Sequence, residues 1–124
     1  ILLVEDNLIN QRVAAGILKL KGTRVTIANN GQEAVNIVNN AHANEFDVIL
    51  MDIDMPILDG YEATFIIKQN PATQTLPIIA LTAHNSEEDK EKCFKVGMSD
   101  FLTKQIKSEP LYHSIATSII NAEK

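Results

Sequence analysis

Asp47-Val48-Ile49-Leu50-Met51-Asp52-Ile53-Asp54-Met55-Pro56 is the stretch whose reading decides the fold. The apolar run from Val48 to Met51 is stopped by a carboxylate, and a second carboxylate follows two residues on, ahead of a proline. A short apolar run between breakers predicts a buried strand. Asp52 then stands at its carboxyl end, the edge where open α/β sheets gather their ligands. Pro56 and the pair Asp59-Gly60 mark the loop into the next helix. An aspartate in that place is a nucleophile, a metal ligand or a helix-capping group, and the flanking segments have to decide between them.

Upstream, Ile1-Leu2-Leu3-Val4 is a continuous apolar run, the mark of a strand covered on both faces, and it ends at Glu5-Asp6-Asn7. A helical pattern follows, with Ile9, Val13, Ile17 and Leu20 on one side and Gln11, Arg12 and Lys19 on others. Gly22 stops it. Val25 to Ala28 is a second strand, and Asn30 with Glu33 gives a capping-box-like start to a helix carrying Ala34, Val35, Val38 and Ala41. Downstream, a helix is expected around Tyr61 to Lys68, then a polar turn bracketed by Pro71 and Pro77. Ile78-Ile79-Ala80-Leu81 is a fourth strand ending at Thr82, and Ser86 with Asp89 opens a helix running to about Gly97. Asp100 to Thr103 is a fifth, weaker strand ending at Lys104, and a last helix carries Leu111, Ile115 and Ile119.

Strand and helix therefore alternate five times, which predicts an α/β domain with a parallel sheet and helices on both faces. Right-handed crossovers put every strand's carboxyl end on one edge. Glu5, Asp6, Asp52, Thr82 and Lys104 gather there.

The 124 residues make one domain, 1–124; opening on a strand at Ile1 without an initiator Met, it reads as cut from a longer protein. A net charge of −5 with no Lys/Arg cluster argues against nucleic acid or an anionic membrane as the direct partner. The single Cys93 excludes an internal disulfide and fits a reducing, cytoplasmic setting. No apolar stretch reaches the length of a membrane span, so membrane contact by this domain is not expected, even where the parent is a membrane-bound sensor.

Three carboxylates on one edge repel one another, and a hard divalent cation answers that repulsion. Mg²⁺, or Mn²⁺ in its place, takes oxygen ligands, keeps several waters and shares its shell with phosphates. Glu5 and Asp6 would hold it with one oxygen of Asp52, and the main-chain carbonyl of Asp54 is a further candidate. The second Asp52 oxygen would remain to attack phosphorus. Thr82 and Lys104 supply a hydroxyl donor and a fixed positive charge for the other oxygens of a phosphoryl group.

These segments resemble the receiver domains of two-component response regulators and hybrid sensor kinases. Leu2-Leu3-Val4-Glu5-Asp6-Asn7, Leu50 to Pro56 with Asp59-Gly60, Ala80-Leu81-Thr82-Ala83, and Gly97-Met98 through Phe101 to Lys104 match the family's site segments in order. The likeness covers essentially the whole chain. It implies a flavodoxin-like (βα)5 fold with strand order 2-1-3-4-5. It implies that Asp52 takes a phosphoryl group from a phosphohistidine on a histidine kinase or a histidine phosphotransfer domain, and later loses it by self-directed hydrolysis. Thr82 and Phe101 would be its switch pair, and the fourth helix, fifth strand and fifth helix its output face. Whether phosphorylation drives dimerisation stays open. The Leu-Val-Glu-Asp-Asn start with Asn10-Gln11 looks most like receivers attached to hybrid kinases.

Two departures stand out. Gln105 occupies the place where the family has a proline after the lysine, so the Lys104-Gln105 peptide is expected to be trans. Asp54 puts an extra carboxylate near the acceptor, where it would either repel the phosphate or help place a hydrolytic water. Two rival functions follow: a receiver-like interaction module that has lost phosphorylation, and a Mg²⁺-dependent phosphohydrolase of the haloacid-dehalogenase type, whose Asp-x-Asp signature Asp52-Ile53-Asp54 formally meets. The second lacks the length for a cap. His42, His84 and His113 show no metal-ligand spacing, and Cys93 reads as a small helix residue.

Overall fold

The structure is a computed structural model that describes residues 1–40, 46–54, 58–71, 73–83, 86–104 and 107–122. Five strands alternate with five helices: β1 Leu2–Val4, α1 Leu8–Lys19, β2 Thr26–Ala28, α2 Gly31–Asn40, β3 Ile49–Asp52, α3 Gly60–Gln69, β4 Ile78–Thr82, α4 Glu87–Lys95, β5 Asp100–Thr103 and α5 Ser108–Ala122. The strands form one parallel sheet in the order β2-β1-β3-β4-β5. The deciding stretch is the central strand, shifted by one residue from the apolar run, with Asp52 itself as the last strand residue.

Strand residues alternate between two cores because successive side chains point to opposite faces. Leu2, Val4, Ile49, Met51, Ile78 and Ala80 pack with α2, α3 and α4 residues such as Val35, Ile67 and Cys93. Leu3, Val48, Leu50, Ile79 and Leu81 pack with Ala14, Leu18 and Leu111 of α1 and α5. Burying a side chain of that size contributes about 1.5–3 kcal/mol, so both layers are held chiefly by the sheet's own residues. Tyr112 ties α5 to α1 by donating its hydroxyl hydrogen to the Ile17 carbonyl at 2.5 Å.

Helix starts carry side-chain caps, at Asn7 and Asp59 as well as at the expected Ser86 and Asn30. Asn7 accepts from the N–H groups of Ile9 and Asn10, Asp59 from Glu62, and Ser86 from Asp89. The Asn30 cap accepts from Glu33 N–H at 2.8 Å, but the Glu33 carboxylate returns to Asn29 rather than to Asn30. Among the described residues, α2 buries Ala34, Val35 and Val38 as its period predicts. Ala41, His42 and His84 lie outside the described residues; His113 is exposed on α5 and Cys93 is buried.

α1 departs from its expected orientation. Of the stripe Ile9, Val13, Ile17 and Leu20, only Ile17 packs against the core; Ile9 is 72%, Val13 47% and Leu20 83% exposed. Gln11, Ala14, Ala15 and Leu18 face inward instead. Two alanines bring the helix close to the sheet, and Gln11 is turned in by polar partners that hydrophobic periodicity does not register.

Candidate functional site

β1, β3, β4 and β5 end at the same edge of the sheet and bring the expected set there, Glu5 and Asp6 after β1 and one group from each of the others. Glu5 follows β1, its N–H donating to the Ala28 carbonyl at 3.1 Å. Asp52 closes β3 in register with Leu81, one residue short of Thr82. Thr82 closes β4 opposite Thr103 of β5, and Lys104 N–H donates to the Thr82 carbonyl at 2.7 Å. The ladders thus bring together residues separated by up to a hundred positions.

Glu5, Asp52 and Thr82 are buried, Lys104 half-buried and Asp6 exposed. Lys104 Nζ lies 2.9 Å from Asp52 Oδ2 and 3.9 Å from Glu5 Oε1. Asp52 Oδ1 accepts from the Asp54 N–H at 2.9 Å. Asp54 therefore meets the acceptor through its backbone, while its side chain is exposed. Burial drives the Asp52 carboxyl up to about 7, although its hydrogen bonds from Lys104 and the Asp54 N–H pull down; the Glu5 charge adds to the rise. Burial works against the Lys104 ammonium as well, but the hydrogen bond and charge of Asp52, then the charges of Glu5 and Asp6, outweigh it and raise its pKa.

One lysine thus faces three carboxylates. Carboxylate oxygens of Glu5, Asp6 and Asp52 all lie within 4.8 Å of one another. Oxygen-only donors at that spacing fit a hard divalent cation, and the unsatisfied negative charge is what such an ion would offset. The Asp54 side chain takes no part in this cluster.

Close backbone approach joins the start of α3 to the end of β3. A Cβ on Gly60 would lie 2.5 Å from the Asp52 carbonyl oxygen and 2.7 Å from Ile53 Cα, so only glycine lets α3 start directly against the end of β3. Met55, Pro56 and Ile57 of the same loop, and Gln105 beyond Lys104, lie outside the described residues.

Phe101 is half-buried and packs in the core beneath α2, α3 and α4. It pairs with Ala80, whose face of β4 Thr82 shares two residues on. Periodicity missed three further polar residues. Asn10 Nδ2 donates to Glu5 Oε1 at 3.3 Å, and Gln11 Nε2 donates to the Glu5 carbonyl at 2.6 Å and to Asn29 Oδ1 at 2.9 Å. For Asn10 and Gln11 the physical signal in the sequence is position, two amides in the first turns of a helix that opens beside an acidic pair; Asn29 has none.

Comparison with known proteins bears on the whole chain. Residues 1–116 match the family model described as response regulator receiver domain. Hybrid signal transduction histidine kinase I of Dictyostelium discoideum is 41% identical over 123 residues, covering 96% of this chain and 7% of that protein. Signal transduction histidine-protein kinase BarA of Escherichia coli strain K12 is 39% identical over 113 residues, covering 91% of this chain and 12% of that protein. The chain thus spans a small part of these curated relatives. Among solved structures, the receiver domain of sensor histidine kinase PA1611 from Pseudomonas aeruginosa PAO1, with a magnesium ion coordinated in its active-site cleft, superposes with a TM-score of 0.86 at 41% identity, covering 95% of this chain and 94% of that one. Chemotaxis protein CheY4 of Vibrio cholerae gives a TM-score of 0.86 at 28% identity, covering 94% and 95%.

Proposed function

Because this chain belongs to the response regulator receiver family, we propose that it works as the phosphoacceptor of a two-component phosphorelay, with Asp52 as the acceptor and a phosphohistidine on a partner protein as the donor. The observation that carries this reading is the buried Asp52 carboxylate, held 2.9 Å from Lys104 and within 4.8 Å of the carboxylate oxygens of Glu5 and Asp6. An Asp52 carboxylate oxygen attacks phosphorus as the bond to the imidazole nitrogen breaks, and the electron pair leaves with the ring. Glu5, Asp6 and Asp52 would hold Mg²⁺, which when bound neutralises charge on the transferring phosphoryl oxygens. Lys104 keeps a positive charge against Asp52 Oδ2, and the Thr82 hydroxyl donates to a phosphoryl oxygen.

Thr82 and Phe101 serve as the switch pair in this reading. Their neighbouring places on the α2-α3-α4 face support it, since movement of the Thr82 hydroxyl towards a new phosphate opens space beside Ala80 for the ring. A phosphoryl group adds about −1.5 to −2 charge at pH 7, enough to bias an element with two nearly balanced packings. The output is read from α4, β5 and α5.

The donor is a histidine kinase or a histidine phosphotransfer domain. Leu8, Ile9 and Val13, exposed on α1 beside the acidic edge, offer it an apolar docking face. No described helix is long and apolar enough to cross a membrane.

Intact mass after incubation with Mg²⁺ and a phosphorylated histidine donor tests the assignment. Wild type gains one phosphoryl group and Asp52→Asn gains none; a phosphorylated Asp52→Asn protein overturns it. The rival readings gain no support: Asp54, required as the acid of a dehalogenase-type hydrolase, turns its carboxylate to solvent, and Gln105 lies outside the described residues.

A further inference from the structure

Asn10-Gln11 follows the acidic pair Glu5-Asp6 after three intervening residues, and phosphoryl transfer as described leaves it without a task. Asn10 is half-buried and Gln11 only 5% exposed, unusual for amides on a two-layer helix. Both meet Glu5, at different points. Asn10 Nδ2 donates to the Glu5 carboxylate at 3.3 Å, whereas Gln11 Nε2 donates to the Glu5 main-chain carbonyl at 2.6 Å. Gln11 also donates to Asn29 Oδ1 at 2.9 Å, and Asn29 donates to Glu33 Oε1 from its backbone and its side chain, at 3.3 and 3.2 Å. The network joins the end of β1, the first turns of α1 and the start of α2.

A glutamate side chain turns about three bonds, and one crowded by two other carboxylates is pushed away from them. Something must hold it in place. The described hydrogen bonds to the Glu5 carboxylate, from Asn7 N–H at 3.2 Å and from Asn10 Nδ2, both arrive at Oε1. Lys104 Nζ approaches that same oxygen, at 3.9 Å. Donors gathered on one oxygen fix the orientation of the carboxylate and leave the other oxygen to a cation.

We propose that Asn10 is a positioning residue for the cation site: it holds Oε1 of Glu5 so that Oε2 is presented alongside Asp6 and Asp52, while Gln11 anchors the backbone from which Glu5 projects. This rests on the receiver reading above, in which those carboxylates hold Mg²⁺. It extends that reading to two residues of α1 that touch neither the ion nor the phosphoryl group.

Titration calorimetry with Mg²⁺ tests it on wild type, Asn10→Ala, Glu5→Gln and the double variant. Partners that orient metal ligands typically cost 10–100-fold in affinity when removed, so Asn10→Ala should weaken Mg²⁺ binding about tenfold. Its unfolding midpoint in EDTA should match wild type. In the Glu5→Gln background the loss of Asn10 should add nothing, because residues acting through one contact are not additive. Asn10→Leu, which keeps the volume, should behave as Asn10→Ala does. Unchanged affinity in both Asn10 variants, or an equal loss with and without Glu5, overturns the positioning role. A wild-type protein that binds no Mg²⁺ overturns the receiver reading along with it.

Discussion

Helices α1 and α2 each follow a strand of the same sheet and each begin beneath an asparagine cap, Asn7 and Asn30, yet they turn opposite kinds of residue to the strands. α2 buries Ala34, Val35 and Val38 and leaves its polar residues in water. α1 buries an amide with two alanines and one leucine, and exposes Leu8, Ile9 and Val13. The difference lies in what each helix covers. α2 lies over apolar strand residues, whereas the first turns of α1 lie over a buried glutamate whose backbone and carboxylate need donors. Hydrogen bonding there outranks hydrophobic period, and the displaced apolar side chains end up beside the site, where a partner can use them.

The comparison breaks first where α1 is most like α2. Leu18 is 1% exposed, so Leu18→Ala should cost about 2–5 kcal/mol, read as a fall in the denaturant midpoint at constant slope. A smaller loss would show that α1 contributes little packing. Next comes buried charge, which the α1 side carries at Glu5 and Asp52. Mg²⁺ at about a hundred times its Kd should stabilise the fold by about 2.7 kcal/mol, read as a rise in Tm that Asp52→Asn blunts.

That rise should depend on pH. With its folded-state pKa near 7 against 3.8 unfolded, Asp52 takes up protons on folding, so its contribution favours the folded state at low pH and is lost as pH climbs from about 4 to 7. In EDTA, Asp52→Asn should therefore be more stabilising relative to wild type at pH 8 than at pH 5. Protons compete with the cation for Asp52, so the Mg²⁺ effect should also be larger at pH 8. Equal Tm shifts at both pH values would remove the buried carboxylate from the account.

Gln11→Leu tests the inward amide. It removes the donor from the Glu5 carbonyl and from Asn29, and about 1–3 kcal/mol should go with a buried acceptor left unpaired; a neutral or stabilising outcome would mean that water replaces it. The smallest effect belongs to the outer face. Val13→Ala should change stability by less than about 0.5 kcal/mol while slowing transfer from a phosphohistidine partner severalfold, with acetyl phosphate as donor unaffected. Equal rates from the partner would free α1 from docking.

The central strands were legible because buried parallel strands are written as unbroken apolar runs, as at Leu2–Val4 and Ile49–Met51, whereas their order came from the family resemblance. Asp52 and Thr82 were legible for the same reason, each ending such a run, while Lys104 follows the weaker strand Asp100–Thr103 and was legible only in company with the others. The expected five residues do gather at one edge, and Phe101 falls on the face shared by Thr82. What the sequence hid was orientation within α1, since a period counts apolar residues without knowing whether the strand end beneath needs donors. The return of Glu33 to Asn29 rather than Asn30 was hidden likewise, because Asn29 is already drawn in by Gln11.

Gly60 has a consequence beyond fit. With no methyl between the start of α3 and the Asp52 carbonyl, strand end and helix meet backbone to backbone. Gly31 repeats the arrangement at the start of α2, where a Cβ would stand 2.3 Å from the Leu58 carbonyl oxygen. Such joints have no side-chain cushion to absorb play. A displacement of a few tenths of an ångström at the acceptor is passed on as a rigid lever passes it, and a replacement at either glycine cannot be repaired by repacking a neighbour. The end of β3, with Asp52 on it, is gripped like a tool in a chuck.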